Sequence, residues 1–251
     1  MDIKQLFFSI ITVSFNSEKT IRNTLESVLN QTETNFEYII VDGKSKDSTL
    51  EIIKSYEQKF KEKGISYRWI SEEDNGIYEA INKGISLSKG TLIGLLNSDD
   101  WYELDALQNI KNNFIKTNAD FIHGNMNLYS IKKEFIKRLK PKDKKALTRK
   151  MPFFHPTCFI SKKVYNVLKG YSLDYKICAD YDFIIKIIKN DFKVTCIDKV
   201  ITNFTMGGVS TTEVKKALKE SHQIRVNNGY SKNLSKFHYY IERVICKIKY
   251  R

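Results

Sequence analysis

The first hundred residues alternate between two hydrophobic periods, and that alternation leaves few folds open. FFSIITVSF (7–15) is apolar and β-branched nearly throughout, as a strand covered on both faces must be. From Asn16 the pattern turns helical, with Ile21, Leu25, Val28 and Leu29 on one face. NFEYIIVDG is a second strand, stopping at Asp42 and Gly43, and Asp47 or Ser48 stands where it can cap a helix carrying Leu50, Ile52, Ile53 and Tyr56. ISYRWIS is a third strand ending in the polar loop EEDNG. The helix IYEAINKGISLSKG follows, with Gly90 suited to its C-terminal cap, and TLIGLLNSDD is the fourth strand. Such spacing predicts an α/β fold, with a mostly parallel central sheet flanked by helices.

In open sheets of this kind, ligands bind beyond the carboxyl ends of the strands. Ser14 to Asn16, Asp42 to Lys44, Glu72 to Gly76 and Asn97 to Asp100 all fall at such ends, so polar clusters converge on one crevice. The adjacent carboxylates Asp99 and Asp100 repel each other unless a cation or a set of donors holds them. Taken alone the pair reads as a capped turn; among convergent clusters it reads as a divalent-metal site. Asp42 either opens a turn with Gly43 or accepts from a ribose or a base N–H. No GxGxxG follows the first strand and no GxxxxGK[ST] is present, so neither a dinucleotide cofactor nor a phosphate loop of that type is indicated.

Beyond Trp101 the alternation weakens. A helix with Leu104, Leu107, Ile110 and Phe114 leads to a strand, ADFIHGNMNLYS, and then to a basic segment over 132–150. HPTCFIS is a further strand, YDFIIKIIKN a short helix, and VTCIDKVITNFTMGGVS one or two closing strands. Three features keep two readings each. His155 is a backbone-satisfied histidine or a ligand contact. Asp180, like Asp182, is first-turn helix charge or a general base. Gly207 and Gly208 make an ordinary turn or a loop whose amides close over a pyrophosphate.

With 251 residues, 41% of them hydrophobic, the chain can bury a sizeable core. Its four cysteines, Cys158, Cys178, Cys196 and Cys246, form no CxxC pair and no metal-ligand spacing with histidine, and they read as reduced thiols. A net charge of +13 favours anionic partners: nucleic acid, anionic membrane or phosphorylated small molecules. The charge gathers in 132–150 and 215–251. In the second of these, Leu234, Phe237, Ile241, Val244, Ile245 and Ile248 recur at helical spacing among Lys236, Arg243, Lys247 and Lys249. Such a stripe packs on its own domain or lies on anionic lipid, and the sequence leaves both open. No run reaches the roughly 18 apolar residues of a membrane span, and no secretory leader is evident, so a cytoplasmic location is expected.

Together SIITVSFNSEKTIRNTLESVLNQT, FEYIIVDGKSKDST, WISEEDNGIYEAINKGI, KGTLIGLLNSDD and ADYDF resemble glycosyltransferase family 2, the inverting enzymes with the nucleotide-sugar fold called GT-A. The wording is most similar to bacterial enzymes that build surface polysaccharides. The resemblance implies a GT-A domain over 1–212, with a nucleotide-binding half (1–100) and an acceptor-side half (101–212), followed by a basic amphipathic helical extension (213–251). It implies a nucleotide pocket beginning at Ser14, Phe15 and Asn16, with Asp42 against the base. Asp74, Asn75, Gly76 and Asn82 would border the nucleotide and donor sugar. Asn97, Ser98 and Asp99 stand in the DXD position, with Mg2+ or Mn2+ on Asp99 aided by Asp100, and Asp180 stands as the catalytic base. His155, Gly207 and Gly208 are expected near acceptor or phosphate.

Asn97 replaces the first acidic residue of DXD, Ile81 sits where many members have Arg, Ala179 where many have Glu, and Phe15 keeps the stacking face of a common Tyr without its hydroxyl. The implied donor is a UDP-sugar, with dTDP-sugars as the alternative. A glycan or polyprenyl-diphosphate-linked acceptor in O-antigen, capsule or exopolysaccharide assembly would complete the reaction, with peripheral contact at the inner face of the cytoplasmic membrane. Two rivals fit less well. A sugar nucleotidyltransferase would carry a Gly-rich basic loop where this chain has SFNSEKT. A nucleic-acid-binding module rests on net charge, with Phe237, Tyr239 and Tyr240 as its stacking residues, and no nucleic-acid partner is expected.

Overall fold

The computed structural model describes residues 8–207 and 213–249. Nine strands form one sheet: β1 (Phe8–Ser14), β2 (Phe36–Asp42), β3 (Ser66–Ser71), β4 (Leu92–Leu95), β5 (Trp101–Tyr102), β6 (Phe121–Tyr129), β7 (Phe135–Leu139), β8 (Phe159–Ser161) and β9 (Val194–Thr205). Their order is β3-β2-β1-β4-β8-β6-β9-β5, with β7 beside β6. β1 pairs parallel with β2 and β4, β2 with β3, and β6 with β9. β5, β7 and β8 run antiparallel to their neighbours. The sheet is therefore mixed, with one parallel block, β3-β2-β1-β4, built from the first hundred residues and a second parallel pair, β6 with β9.

The helices are α1 (Ile21–Leu29), α2 (Thr49–Ser55), α3 (Glu57–Glu62), α4 (Ile77–Leu87), α5 (Ala106–Thr117), α6 (Lys162–Leu168), α7 (Ala179–Lys189), α8 (Val214–Asn227) and α9 (Lys232–Lys249). Side chains alternate across a strand, so the continuous apolar runs of β1 and β2 feed two cores. Phe8, Ile10, Tyr38 and Ile40 pack with residues of α1, α2, α3 and α5. Ile11, Ile39 and Val41 pack with residues of α4, α6 and α7. The result is a three-layer arrangement that leaves the carboxyl ends of the strands uncovered.

Several expectations change. Gly90 does not cap α4, whose C-cap is Ser88. A Cβ on Gly90 would sit 2.4 Å from the backbone nitrogen of Ser9, so glycine is needed there for close approach to β1. The helix expected after Asp180 and Asp182 begins before them, with Cys178 as N-cap and both aspartates in the first turn of α7. β7 lies inside the basic segment. Its residues are nearly all exposed, and its cations blunt a sheet edge, which is why no apolar alternation announced it. Nor does the core end at residue 212: Ile224 of α8 is fully buried in the second core, and Arg225 beside it is fully buried as well.

Candidate active site

A cavity of about 1100 Å3 opens at the carboxyl ends of β1, β2, β3, β4, β6 and β9. Its wall is built by the residues after β1 (Val13 to Thr20), Asp47 after β2, Asp74 and Gly76 to Tyr78 after β3, and Asn97, Ser98 and Asp99 after β4. Met126 of β6 and Phe204 of β9 contribute, as do Ala80 and Ile81 of α4. Phe153, Phe154, His155, Pro156, Lys176, Ile177 and Asp180 also line it. The volume suits a drug-sized or nucleotide-sized ligand.

Of the expected nucleotide-side residues, Ser14, Phe15, Asn16, Asp74, Gly76, Ser98 and Asp99 line this cavity. Phe15 is 62% exposed, so much of its aromatic ring is open to a ligand. Asn16 has φ 48°, and its backbone N–H donates to Ser45 Oγ while its Oδ1 accepts from the Lys46 amide, which locks the strand-to-helix turn. Ser17 and Ser98 are joined by a 2.8 Å hydroxyl contact, so the loops after β1 and β4 meet. Asp74 Oδ1 accepts from the Gly76 amide at 2.9 Å, and Gly76 takes φ 130°, a conformation that glycine allows.

Four expected contact residues stand off the wall. Asp42 is completely buried and accepts from Ser14 Oγ, Ser45 N, Ser45 Oγ and Ser71 Oγ. It braces the ends of β1, β2 and β3, and a base N–H reaches it only by displacing one of those donors. Asn82 is spent on the backbone of Tyr171, donating from Nδ2 to its carbonyl at 2.8 Å and accepting its amide at 2.9 Å. Asn75 bonds Glu79 and lines a smaller hollow beside the main cavity. Asp100 is buried, with Oδ1 accepting from Thr205 N at 3.0 Å and Oδ2 from Asn97 Nδ2 at 3.1 Å. It ties β4 to β9 and is not among the residues that line the cavity, so of the two expected metal ligands Asp99 is the one on the wall.

Burial pushes both aspartyl pKa values above the usual carboxylate range, and the charge of Asp99 adds to the rise at Asp100. A cation is the natural relief. Among the described residues, no group of three His, Cys, Asp or Glu side chains is placed to hold a metal ion. Asp99 is the member of the adjacent pair that lines the cavity, and with no ready-made set of three ligands around it the site fits an ion that arrives with phosphate oxygens, as Mg2+ commonly does, better than a cage made of protein alone.

On the second side, Asp180 is part-buried at the start of α7. Its Oδ1 accepts from the Tyr181 amide at 2.9 Å and lies 3.2 Å from the Tyr78 hydroxyl. No protein donor reaches Oδ2 among the described residues. His155 Nε2 contacts the Tyr171 hydroxyl at 2.9 Å. Burial lowers the His155 pKa, while the Asp180 charge pulls the other way. Gly207 lies off the cavity beside Ile131, and Gly208 lies outside the described residues. Sequence reading missed Lys19, Lys176 and Tyr78. The two lysines are cations on the wall, and Tyr78 is buried under Asp180; all three lie in or beside the motif stretches, but neither period nor spacing separates them from surface residues.

A sheet of this order, with its ligand crevice beyond β1 and β4, has the architecture of the GT-A nucleotide-sugar fold. The model of the family described as glycosyl transferase family 2 matches residues 9–168, and the chain belongs to that family. It is 31% identical over 214 residues to a PGL/p-HBAD biosynthesis glycosyltransferase of Mycobacterium bovis, covering 83% of this chain and 81% of that protein. It is 30% identical over 244 residues to the chondroitin synthase of Escherichia coli, covering 92% of this chain but 34% of that one. Among solved structures, S. aureus TarS (residues 1–349) in complex with UDP-GlcNAc superposes with a TM-score of 0.70 at 17% identity, covering 93% of this chain and 70% of that one. The mannosyltransferase PcManGT of Pyrobaculum calidifontis, in complex with GDP-Man and Mn2+, gives 0.69 at 16% identity, covering 94% and 68%. At such identities the structures establish the fold alone.

Proposed function

We propose that this glycosyltransferase moves a hexose or N-acetylhexosamine from a UDP-sugar, with inversion, to a hydroxyl of a glycan or lipid-linked acceptor in bacterial surface-polysaccharide assembly. One observation carries the reading: Asp99 and Asp180, from separate halves of the chain, line one cavity whose other walls are aromatic, hydroxyl-bearing and cationic. The UDP-GlcNAc held by TarS and the GDP-Man held by PcManGT support a nucleotide-sugar donor, and the mycobacterial relative, named for PGL/p-HBAD biosynthesis, supports a biosynthetic glycosyl transfer.

In this reading Phe15 stacks on the base, and Ser14 and Asn16 shape its pocket. Asp99 would hold a Mg2+ or Mn2+ ion together with the donor phosphates, and such an ion would supply positive charge for the leaving diphosphate. Lys19 and Lys176 add positive charge around it. Asp180 receives the proton of the acceptor hydroxyl as that oxygen attacks the anomeric carbon from the side away from the nucleotide. The bond to the diphosphate oxygen breaks, UDP leaves, and an α-linked donor gives a β-linked product. His155, which lines the cavity with its Nε2 against the Tyr171 hydroxyl, would orient the acceptor.

The test is release of UDP from a panel of UDP-sugars with and without Mn2+. Metal-dependent release from one member identifies the donor, whereas a panel left intact under all conditions rejects the reading.

The membrane part of the proposal rests on α9. Leu234, Phe237, Val244 and Ile245 on this helix are all more than 40% exposed, so this part of the stripe is not covered by its own domain. Arg225 bonds Ser235 on this helix and the Arg149 carbonyl, which brings the end of the basic segment alongside. Among the described residues no helix is long and apolar enough to cross a membrane. An apolar stripe beside a basic segment suits the surface of an anionic bilayer, where each basic residue contributes about 1 kcal/mol. The protein is expected to float with phosphatidylglycerol vesicles. A Leu234→Ser, Phe237→Ser, Val244→Ser variant should stay behind, and equal flotation of the two would remove α9 as the anchor.

A further inference from the structure

The segment that delivers Asp180 to the cavity is held from two directions, and one of the holding groups lies well beyond the stretch that the family model matches. On one side, α4 grips it. Asn82 bonds both backbone groups of Tyr171, while the Tyr78 hydroxyl lies 2.7 Å from the Ile177 carbonyl and accepts the Asp180 amide at 3.4 Å. On the other side stands Glu220, half-buried on α8. Its Oε1 accepts the Lys176 amide at 3.0 Å, and its Oε2 accepts the amides of Ile177 and Cys178, each at 2.9 Å.

Cys178 is the N-cap of α7 and Asp180 is the second residue of that helix. Helix N-termini leave backbone donors without intrahelical partners, and here a side chain from another helix takes up the approach to that terminus. Charge-assisted bonds to a carboxylate are among the stronger ones, so three of them fix the height and angle at which α7 begins. α8 is itself anchored: Ile224 is fully buried, and the fully buried Arg225 donates to the Arg149 carbonyl and to Ser235. Glu220 therefore projects from a fixed base.

We infer that Glu220 is a positioning residue for Asp180: it clamps residues 176–178 from α8 so that the Asp180 carboxylate meets the cavity at a fixed place. The inference rests on the reading of Asp180 as the base. Geometry at a reacting centre is unforgiving, with a displacement of about 1 Å able to cost 10²-fold in rate. In Glu220→Gln one acceptor oxygen becomes an amide that points its own N–H groups at backbone N–H groups, so at least one of the three bonds is lost.

The experiment compares wild type, Glu220→Gln, Glu220→Asp, Asp180→Asn and the Asp180→Asn, Glu220→Gln double variant. UDP binding in Mn2+, measured by calorimetry, counts folded sites, and turnover of the UDP-sugar that the donor panel identifies is expressed per binding site. Positioning predicts that Glu220→Gln keeps its UDP stoichiometry and affinity and loses about 10–100-fold in kcat. Glu220→Asp, which keeps the charge on a shorter arm, should fall between it and wild type, and it carries the test if the Gln variant does not fold. The double variant should be no slower than Asp180→Asn, because Glu220 acts through Asp180. A purely structural role gives fewer UDP-binding sites with unchanged kcat per site, and losses that multiply in the double variant mean that Glu220 acts elsewhere. Either result overturns the inference. If Asp180→Asn itself retains full turnover, the base assignment has failed and the positioning role falls with it, a result distinct from failure of the clamp.

Discussion

Asp180→Asn is expected to lower turnover by about 10²–10⁴-fold, the usual worth of a general base, while leaving UDP affinity within a few-fold of wild type. The separation of the two effects follows from the architecture. The residues proposed to hold the nucleotide come from the ends of β1 to β4, whereas Asp180 sits on α7, after the family-matched region, with Oδ1 pinned and Oδ2 toward no protein donor among the described residues. Asparagine keeps the shape and the Oδ1 acceptor but offers no basic oxygen, so proton removal is lost and little else. Single-turnover rates set against calorimetric UDP affinity distinguish this from misfolding. Equal loss of both, or loss of neither, contradicts the role given to Asp180.

Asp99→Asn is expected to remove the metal dependence of donor binding. Turnover in Mn2+ should drop by about 10²–10³-fold, in line with the several kcal/mol that a metal contributes to a charged leaving group. Asp99 is the carboxylate of the adjacent pair that faces the cavity, and burial already makes its ionised form costly without a cation. Asp100→Asn should behave differently. Its oxygens are committed to Thr205 and Asn97, so the substitution should weaken the junction of β4 with β9 and lower Tm, with a smaller effect on Mn2+ affinity. Paramagnetic resonance of bound Mn2+ reads the first effect directly, and retention of wild-type binding by Asp99→Asn would place the ion elsewhere.

The nucleotide-side half was legible because its strands are buried on both faces and therefore read as unbroken apolar runs, with polar clusters punctuating their ends. Phe8 to Ser14 and Phe36 to Asp42 lie within residues of where the sequence set them. β5 and β7 were not legible. The first has two residues and the second is an exposed, cationic edge, so neither carries a period.

Within the site, the sequence showed which residues arrive at the strand ends but not which way each side chain turns. Asp42, Asn82 and Asp100 share the motif stretches with Asp99, yet each is engaged by hydrogen bonds that include a partner 28 to 105 positions away. Tyr78 and Glu220 were missed for the same reason. Their importance lies in backbone groups near residues 176–180, and a partner formed by folding leaves no local pattern. The C-terminal stripe was read correctly as a helix, and its exposure needed the fold, since only packing reveals that Ile224 of α8 joins the second core while Leu234, Phe237, Val244 and Ile245 of α9 stay exposed.

The most direct measurement is a calorimetric titration of the intact protein with UDP, in the presence and absence of Mn2+. The proposed site predicts saturable binding of one UDP per chain, strengthened by the metal and weakened by Asp99→Asn. Absence of binding by UDP, and by dTDP and GDP under the same conditions, would contradict a nucleotide-sugar site at the carboxyl ends of these strands.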